Sequence, residues 1–525
     1  MAVTEPLIDA GLDSLGAMEL RDAVASTIDV ELPSTVVFDY PSITAMSGFI
    51  VSQLHAEHKA RDAEAIGEVV LHPGERREAV GLLGSSANTS HEVMRADGAL
   101  DAITHVPLAR WCVDACDDSS QVQARFGSYV EDVDRFDAEI FNVSKSEGVL
   151  LDPQQRMLLE ATWEAKSNSR RMHSERAGVT VGISGNEYGR MADVVSAYTA
   201  TGSALSVACG RLSYTFGLQG ICMAVDTACS SSLVGSHIAM RSTMSGESDS
   251  VTSCGVNVTL SPLTSEMFSK AGMLSKDGRC KTLDKNADGY VRGEACVVLE
   301  LRTIAGESVD PSTPPCGSFI SSAVNQDGRS SSLTAPNGPS QQRVVRSALH
   351  TAGMTPNVVD GLEMHGTGTS LGDPIEVGAA HAVLVDFADT ARTAPLTISA
   401  VKSSIGHTEP ASGAVGLLHS VLGVGAENTR GILHLTAVNP HLMSLAHKAM
   451  TRAVDTMVLP RQCLAAAVCM STRPSHRGIS SFAFQGTNAH VIVGSAPKAG
   501  VRSPTAAVAR GRAAARHRER IWLRT

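Results

Sequence analysis

The sequence predicts an α/β fold, and three separated stretches predict it in the same way. In each, an apolar strand runs into a turn of small residues that presents a chemically capable side chain, and strand ends are where open α/β sheets place their chemistry. The first stretch is Ile221-Cys222-Met223-Ala224-Val225, followed by Asp226-Thr227-Ala228-Cys229-Ser230-Ser231-Ser232-Leu233-Val234. It reads as strand, small-residue turn, and a chain able to continue as a helix. A thiol at a helix start feels the positive end of the peptide dipoles and nearby unpaired N–H groups, which favour thiolate. The same N–H groups suit an oxyanion.

The second stretch is Val358-Val359-Asp360-Gly361-Leu362-Glu363-Met364, opening into His365-Gly366-Thr367-Gly368-Thr369-Ser370-Leu371-Gly372-Asp373-Pro374. The third is Leu396-Thr397-Ile398-Ser399-Ala400-Val401, followed by Lys402-Ser403-Ser404-Ile405-Gly406-His407-Thr408-Glu409. Both read as strand, glycine-rich turn and functional side chain, the glycines allowing close backbone approach to a ligand. Taken singly, a buried cysteine is usually packing and a lone histidine a satisfied polar residue. One nucleophile with two histidines in matching settings changes that balance.

Together with Ser480-Ser481-Phe482-Ala483-Phe484-Gln485-Gly486-Thr487-Asn488-Ala489-His490, these segments resemble the ketosynthase domain of type I polyketide synthases, within the thiolase-fold condensing enzymes. The likeness runs from about Val80 to Val493, roughly four-fifths of the chain, and includes Leu151-Asp152-Pro153-Gln154-Gln155-Arg156, Asp288-Gly289-Tyr290-Val291-Arg292-Gly293-Glu294 and Val324-Asn325-Gln326-Asp327-Gly328. At the N-terminus, Ala10-Gly11-Leu12-Asp13-Ser14-Leu15-Gly16-Ala17-Met18-Glu19-Leu20-Arg21 resembles the phosphopantetheine attachment site of acyl carrier proteins, and Val37-Phe38-Asp39-Tyr40-Pro41-Ser42-Ile43 matches the later part of that domain. The resemblance is therefore to a fragment of a modular synthase.

That resemblance implies a thiolase-like, five-layered α/β/α/β/α fold of two similar halves, preceded by a partial all-α carrier bundle. The expected organisation is a carrier domain over 1–54, truncated at its start, and a charged linker over 55–78. A synthase half with the nucleophile follows over 79–315, a half with both histidines over 316–495, and a basic linker or tail over 496–525. Ser14 is expected to carry 4'-phosphopantetheine. Cys229 is expected to accept an acyl chain, and His365 and His407 to promote decarboxylation of a malonyl-type extender. Backbone N–H groups of Cys229 and Phe484 are expected to hold an oxyanion, with Phe484 also gating the acyl pocket. Thr367 and Thr369 are expected along the pantetheine tunnel, and Lys402 in the surroundings of the second histidine. Expected partners are acyl and malonyl-type thioesters on carrier domains, a phosphopantetheinyl transferase, an acyltransferase and other synthase domains, and a second copy in a homodimer.

Bulk properties agree with a large intracellular assembly. The 525 residues are 43% apolar but only 4% aromatic, which predicts an aliphatic core. Eleven cysteines without framework spacing point to reduced thiols in a cytosol-like compartment, so the expected location is cytoplasmic. The natural N-terminus is expected to lie elsewhere, which leaves organelle targeting open. No apolar run approaches membrane-spanning length. The net charge of -10 is uneven: from Pro497 to Thr525 there are eight Lys or Arg against one acid, a composition read as a solvated linker rather than a nucleic-acid site. Asp284-Lys285-Asn286-Ala287-Asp288-Gly289 opens like a calcium loop but has Ala295 at its twelfth position, and Cys112 with Cys116 lacks a second ligand pair, so neither calcium nor zinc is expected.

The chain departs from the family pattern in four places. Val80-Gly81-Leu82-Leu83-Gly84-Ser85-Ser86-Ala87-Asn88 lacks the family's Arg-Phe-Pro-Gly run, predicting a weakened first strand. Lys166-Ser167-Asn168-Ser169-Arg170-Arg171 puts polar residues at apolar positions in a shortened stretch between Trp163 and Gly182. Ile221 stands where proline is usual and Gln485 where glycine is usual, the latter threatening the loop that carries Phe484. These departures keep two other readings open: a synthase that only transfers or decarboxylates acyl groups, and a catalytically silent scaffold.

Overall fold

The computed structural model describes residues 36–51, 79–89, 100–113, 125–168, 176–191, 195–304, 315–386, 394–424, 428–429, 431–442, 457–459, 464–465, 475–495 and 519–520, together with Leu7, Arg392 and some residues between 20 and 27. In the N-terminal segment Leu7, Val36, Val37 and Met46 are buried together, with Leu20, Val24 and Phe49 packed against them. Tyr40 stacks on Phe49 with ring centroids 4.2 Å apart. Ser14 and the 55–78 connector lie outside the described residues. So does most of the basic tail, except that Glu519–Arg520 pairs antiparallel with Arg135–Phe136.

The synthase part is built on eleven strands: β1 Ala79–Thr89, β2 Ala177–Gly182, β3 Cys222–Val225, β4 Ser250–Asn257, β5 Ala295–Ile304, β6 Gly317–Gln326, β7 Gly361–Glu363, β8 Leu396–Ser399, β9 Met457–Val458, β10 His476–Phe482 and β11 Thr487–Gly494. Their hydrogen-bonded order is β9-β8-β7-β10-β11-β6-β1-β5-β4-β2-β3. Cut between β6 and β1, this order shows one arrangement used twice. In the first half, β1, β5 and β4 pair antiparallel, then β4, β2 and β3 pair parallel. In the second, β6, β11 and β10 pair antiparallel, then β10, β7 and β8 pair parallel. Among the described residues, the strands of the two sets pair where Val80–Leu82 runs antiparallel to Gly317–Phe319.

Six helices cover these strands: α1 Pro153–Asn168, α2 Leu205–Phe216, α3 Ser231–Met244, α4 Gly338–Ala352, α5 Gly372–Leu384 and α6 Ser412–Val424. Strand side chains alternate between faces, so each sheet half has two apolar faces to cover. On β5, Val297, Leu299 and Leu301 join one core with Leu233 of α3 and Leu417 and Leu418 of α6, while Cys296 and Val298 join another with Leu158, Leu159 and Leu212 of α1 and α2. On β11 the same alternation sends Val491 to the α3–α6 core and Ile492 to a third core with Val344, Leu349 and Val383 of α4 and α5. The layering is α1/α2, first half-sheet, α3/α6, second half-sheet, α4/α5: the expected five layers.

One expected weakness does not materialise, and a second is met at the one position where it enters the core. Strand β1 forms over all eleven residues and pairs with β5 along its length, with an irregularity only between Leu82 and Gly84. Backbone pairing and burial of Val80 and Leu82 hold it without the family's Arg-Phe-Pro-Gly run. In α1, Lys166 is buried but its Nζ lies 3.3 Å from Glu300 on β5, so the unexpected cation is neutralised where it enters the core. Residues 169–175 lie outside the described residues.

Candidate active site

The inner helices α3 and α6 begin side by side, and their starts hold the chemistry. Only small residues permit that approach: a Cβ on Gly413 would stand 2.6 Å from the Leu233 Cβ, and one on Gly182 would stand 2.4 Å from the Ser232 nitrogen. Between β3 and α3 the chain turns through Ala228 at φ 51, a left-handed conformation uncommon for a residue with a side chain. That turn is tied by the Asp226 carboxylate accepting the Ala228 N–H at 3.1 Å and by the Ser231 hydroxyl accepting the Thr227 N–H at 2.9 Å. It delivers Cys229 into a single turn of 3-10 helix, Ala228–Ser230, immediately before α3. The Cys229 carbonyl accepts hydrogen bonds from Ser412 of α6 at 2.9 Å and Ser481 of β10 at 2.7 Å, so both halves grip this cysteine's backbone.

His407 is placed by its own backbone. Its N–H donates to the Val291 carbonyl at 2.7 Å and its carbonyl accepts from Gly293 at 2.8 Å. The preceding Gly406, at φ 71, runs against the Val291 and Arg292 carbonyls, where a Cβ would be only 2.9 Å from the first. This brings His407 Nε2 to 3.0 Å from the Cys229 sulphur. His365 follows β7, where the Glu376 carboxylate on α5 accepts the N–H of His365 at 2.7 Å and of Gly366 at 2.9 Å. The two imidazoles meet edge to face with ring centroids 5.4 Å apart. One donor atom from each of Cys229, His365 and His407 falls within 4.8 Å of the others. Among the described residues they are also the one group arranged so that a soft cation could be held, although the chemistry read below uses none.

Burial governs the electrostatics. It pushes the Cys229 thiol up to about 12, helped by the negative charge of Glu409 and opposed by Lys402 and by the N–H groups of Phe484 and of Cys229 itself. The sequence predicted thiolate stabilisation at the helix start; the N–H groups are there, but desolvation outweighs them and the resting group is a thiol. Burial, then the charge of Lys402, drives both His365 and His407 well below the usual histidine range, so both are neutral at neutral pH. Lys402 is itself buried, and burial lowers its basicity against the opposing pull of Glu363 and then Glu376, whose own carboxyl burial pushes up to about 8. Lys402 acts on all three of Cys229, His365 and His407, not on the second histidine alone.

Among the described residues, neither Nδ1 of the two histidines has a hydrogen-bond partner. A bare acceptor is less costly in the interior than a bare donor, so the fit is best with each proton on Nε2. His407 Nε2–H then points at the cysteine sulphur.

Several groups here carried no signal in the sequence. Arg292 and Glu409 form a two-point ion pair beside the site, Nε to Oε1 at 2.6 Å and Nη2 to Oε2 at 3.1 Å, with Glu409 in a left-handed conformation at φ 48. Glu363 accepts from Ser399, the Val401 N–H and His419, the last at 2.9 Å. Of the threonines expected along a tunnel, Thr367 is buried and the Thr369 hydroxyl accepts the Gly372 N–H at 3.1 Å. The Phe484 ring is 44% exposed while its N–H faces the Cys229 sulphur. Gln485 takes no left-handed conformation; the positive φ in its loop, 93, belongs to Gly486. The expected strain at Gln485 is therefore absent. The calcium-like loop is closed on itself, Asp284 accepting from Asn286, Thr436 and Ala437, which holds its carboxyl down near about 2. Cys112 is exposed, and Cys116 lies outside the described residues. No helix among the described residues is long and apolar enough to cross a membrane.

A paired α/β fold whose two halves bring a cysteine and two neutral histidines together has the form of a thiol-dependent enzyme. Residues 89–305 match the family model "Beta-ketoacyl synthase, N-terminal domain" and 316–436 match "Beta-ketoacyl synthase, C-terminal domain". Residues 1–50 match "Phosphopantetheine attachment site". The chain belongs to the beta-ketoacyl synthase family. It is similar to the ketosynthase from module 6 of the bacillaene synthase of Bacillus subtilis 168, with a TM-score of 0.71 and 31% identity over 80% of this chain and 72% of that one. It is also 36% identical to polyketide synthase GfsA of Streptomyces halstedii across 95% of this chain, and 35% identical to erythronolide synthase EryA2 of Saccharopolyspora erythraea across 93%. It spans only 7% and 14% of the lengths of these two relatives.

Proposed function

We propose that this chain elongates a polyketide: Cys229 takes an acyl chain from a phosphopantetheine thioester, and the site condenses it with a malonyl-type extender by decarboxylation. The observation that carries the reading is the sulphur of Cys229 at 3.0 Å from His407 Nε2, with the N–H groups of Phe484 and Cys229 on the same sulphur.

In the first step the Cys229 sulphur attacks the thioester carbonyl. The Phe484 and Cys229 N–H groups hold the oxyanion, and the thiol proton leaves on the departing pantetheine sulphur. His407 Nε2–H, donating to the attacking sulphur, favours its anionic character as the proton departs. In the second step the extender's bond to its carboxylate breaks and carbon dioxide leaves. The electron pair passes into an enolate whose oxygen takes hydrogen bonds from His365 and His407. Neutral imidazoles suit this, because they donate without surrendering a proton to the enolate. The enolate carbon then attacks the Cys229 thioester, forming the new carbon–carbon bond and releasing the sulphur as a thiolate, which takes a proton from water to restore the resting thiol. Burial, aided by Lys402, keeps both histidines neutral, and Thr367 and Thr369 flank the approach of the pantetheine arm.

The attachment segment supplies a flexible thioester tether when it carries its 4'-phosphopantetheine. Ser14 is the proposed attachment point, loaded by a phosphopantetheinyl transferase. An acyltransferase and other synthase domains would supply extender and process the product. A homodimer is proposed through β3, whose apolar edge residues Cys222, Met223 and Ala224 are left exposed. The formed β1 weakens one of the two grounds for a silent scaffold, and the unstrained Gln485 weakens the ground for a synthase that only transfers or decarboxylates acyl groups.

The test is intact-protein mass spectrometry after offering short acyl-pantetheine thioesters to the wild type and to Cys229→Ala. An adduct lost in the variant supports the reading; a folded wild type that takes no acyl group from several chain lengths ends it.

A further inference from the structure

The turn that presents the Phe484 N–H is held by backbone and side-chain bonds from two directions. Gly486 donates to the Ala483 carbonyl at 2.8 Å and Ala483 to the Thr487 carbonyl at 3.0 Å, closing the turn. From the neighbouring strand end, Asp327 N–H donates to the Gly486 carbonyl at 2.9 Å and Gln326 Nε2 to the Gln485 carbonyl at 2.8 Å. The Gln485 side chain then folds back along its own loop. Its Oε1 accepts the Thr487 N–H at 3.0 Å, and its Nε2 donates to the Thr487 hydroxyl at 3.1 Å. The Phe484 ring, 44% exposed, contributes little packing to hold its own backbone in place.

We propose that Gln485 is a positioning residue for acyl transfer: its two side-chain bonds to Thr487 brace the turn and fix the Phe484 N–H against the Cys229 sulphur. This rests on the acyl-transfer reading above. Glycine, the residue the family resemblance leads one to expect here, would keep the backbone bonds but lose both side-chain bonds. An oxyanion donor acts only if it already stands where charge develops, so a loosened turn lowers the rate of steps that form an oxyanion. A reaction of the same sulphur that forms no oxyanion feels only the smaller loss of that N–H's pull on the thiolate.

Two reactions of Cys229 separate these cases: acylation by an acyl-pantetheine thioester, which passes through an oxyanion, and alkylation by iodoacetamide, which displaces iodide at a saturated carbon. Both are followed by intact-protein mass spectrometry on the full chain. Gln485→Gly is expected to slow acylation about tenfold, a fraction of the 10²–10³ that losing an oxyanion donor costs, and to leave alkylation within about twofold of wild type. Gln485→Glu, which keeps an acceptor for the Thr487 N–H and for the Thr487 hydroxyl, is expected to recover most of the acylation rate. Equal loss in both reactions would mean altered access to the thiol and overturns the proposal, as does unchanged acylation in Gln485→Gly. A wild type that alkylates at Cys229 but takes no acyl group removes the acyl-transfer reading, and the proposal with it.

Discussion

Cys229 and His407 occupy corresponding places in the two halves of the fold, and their side chains meet at 3.0 Å. Each follows the third strand of its half's parallel run, β3 in β4-β2-β3 or β8 in β10-β7-β8, and each precedes one of the two inner helices, α3 or α6. The site is therefore made where the repeated units face one another, and neither half alone contains a working pair.

The buried thiol predicts an unusual pH dependence. With Cys229 pushed up to about 12, its thiolate fraction grows with pH throughout the range in which the protein is handled. Alkylation by iodoacetamide is expected to rise about tenfold per pH unit from 7 to 10 without levelling near 8.5, where an ordinary cysteine does. Glu409→Gln removes a charge that disfavours the thiolate, so it is expected to move the profile toward lower pH. A plateau near 8.5 in the wild type would contradict the burial argument.

Both histidines lie well below the ordinary range. Protonation is what would disable them as neutral donors, so decarboxylation of a malonyl-pantetheine thioester is expected to hold steady from pH 8 down through about 6.5 and to fail only at lower pH. Carbon dioxide release across that range is the measurement. A loss centred on about 6.5 would show imidazoles of ordinary basicity.

The two histidines are expected to separate in their effects. His365→Ala should lower decarboxylation by about 10²-fold or more while Cys229 still acylates. His407→Ala should impair both, because its Nε2 is the atom against the sulphur. Parallel adduct and carbon dioxide assays on each variant distinguish them.

Ser412 and Ser481 donate to one carbonyl, that of Cys229. Removing either hydroxyl leaves the acceptor with one partner, at a cost of about 1 kcal/mol; removing both leaves it with neither and should cost more than the sum. Denaturant unfolding of Ser412→Ala, Ser481→Ala and the double variant measures the coupling, and strict additivity would argue against a shared acceptor.

The Lys166–Glu300 pair should behave as a buried ion pair. Glu300→Ala strands the ammonium in the core and is expected to cost about 3 kcal/mol or more, whereas Lys166→Met with Glu300→Leu should recover most of it. A near-neutral Glu300→Ala, read by thermal unfolding, would mean that Lys166 reaches water.

Much of this protein was legible in its residues. Strand-turn-function patterns around Cys229, His365 and His407 depend on local chemistry: apolar runs, glycines where backbones approach, and a helix start after a small-residue turn. Those rules operate within about a dozen residues, and the chain obeys them. The sequence could not show that burial would defeat the helix start in setting the thiol, because desolvation depends on everything packed around it. Nor could it show that Glu376 on α5 anchors the His365 backbone, that Arg292 and Glu409 pair across 117 positions, or that Lys166 would find Glu300 across 134. Gln485 looked like a defect beside its immediate neighbours, yet its loop assigns the left-handed position to Gly486 and leaves the glutamine free to bond Thr487. Local propensity determined which elements form and which side chains are offered at their ends; only the face-to-face packing of the two halves decided which of those side chains meet, at what distance, and in what protonation state.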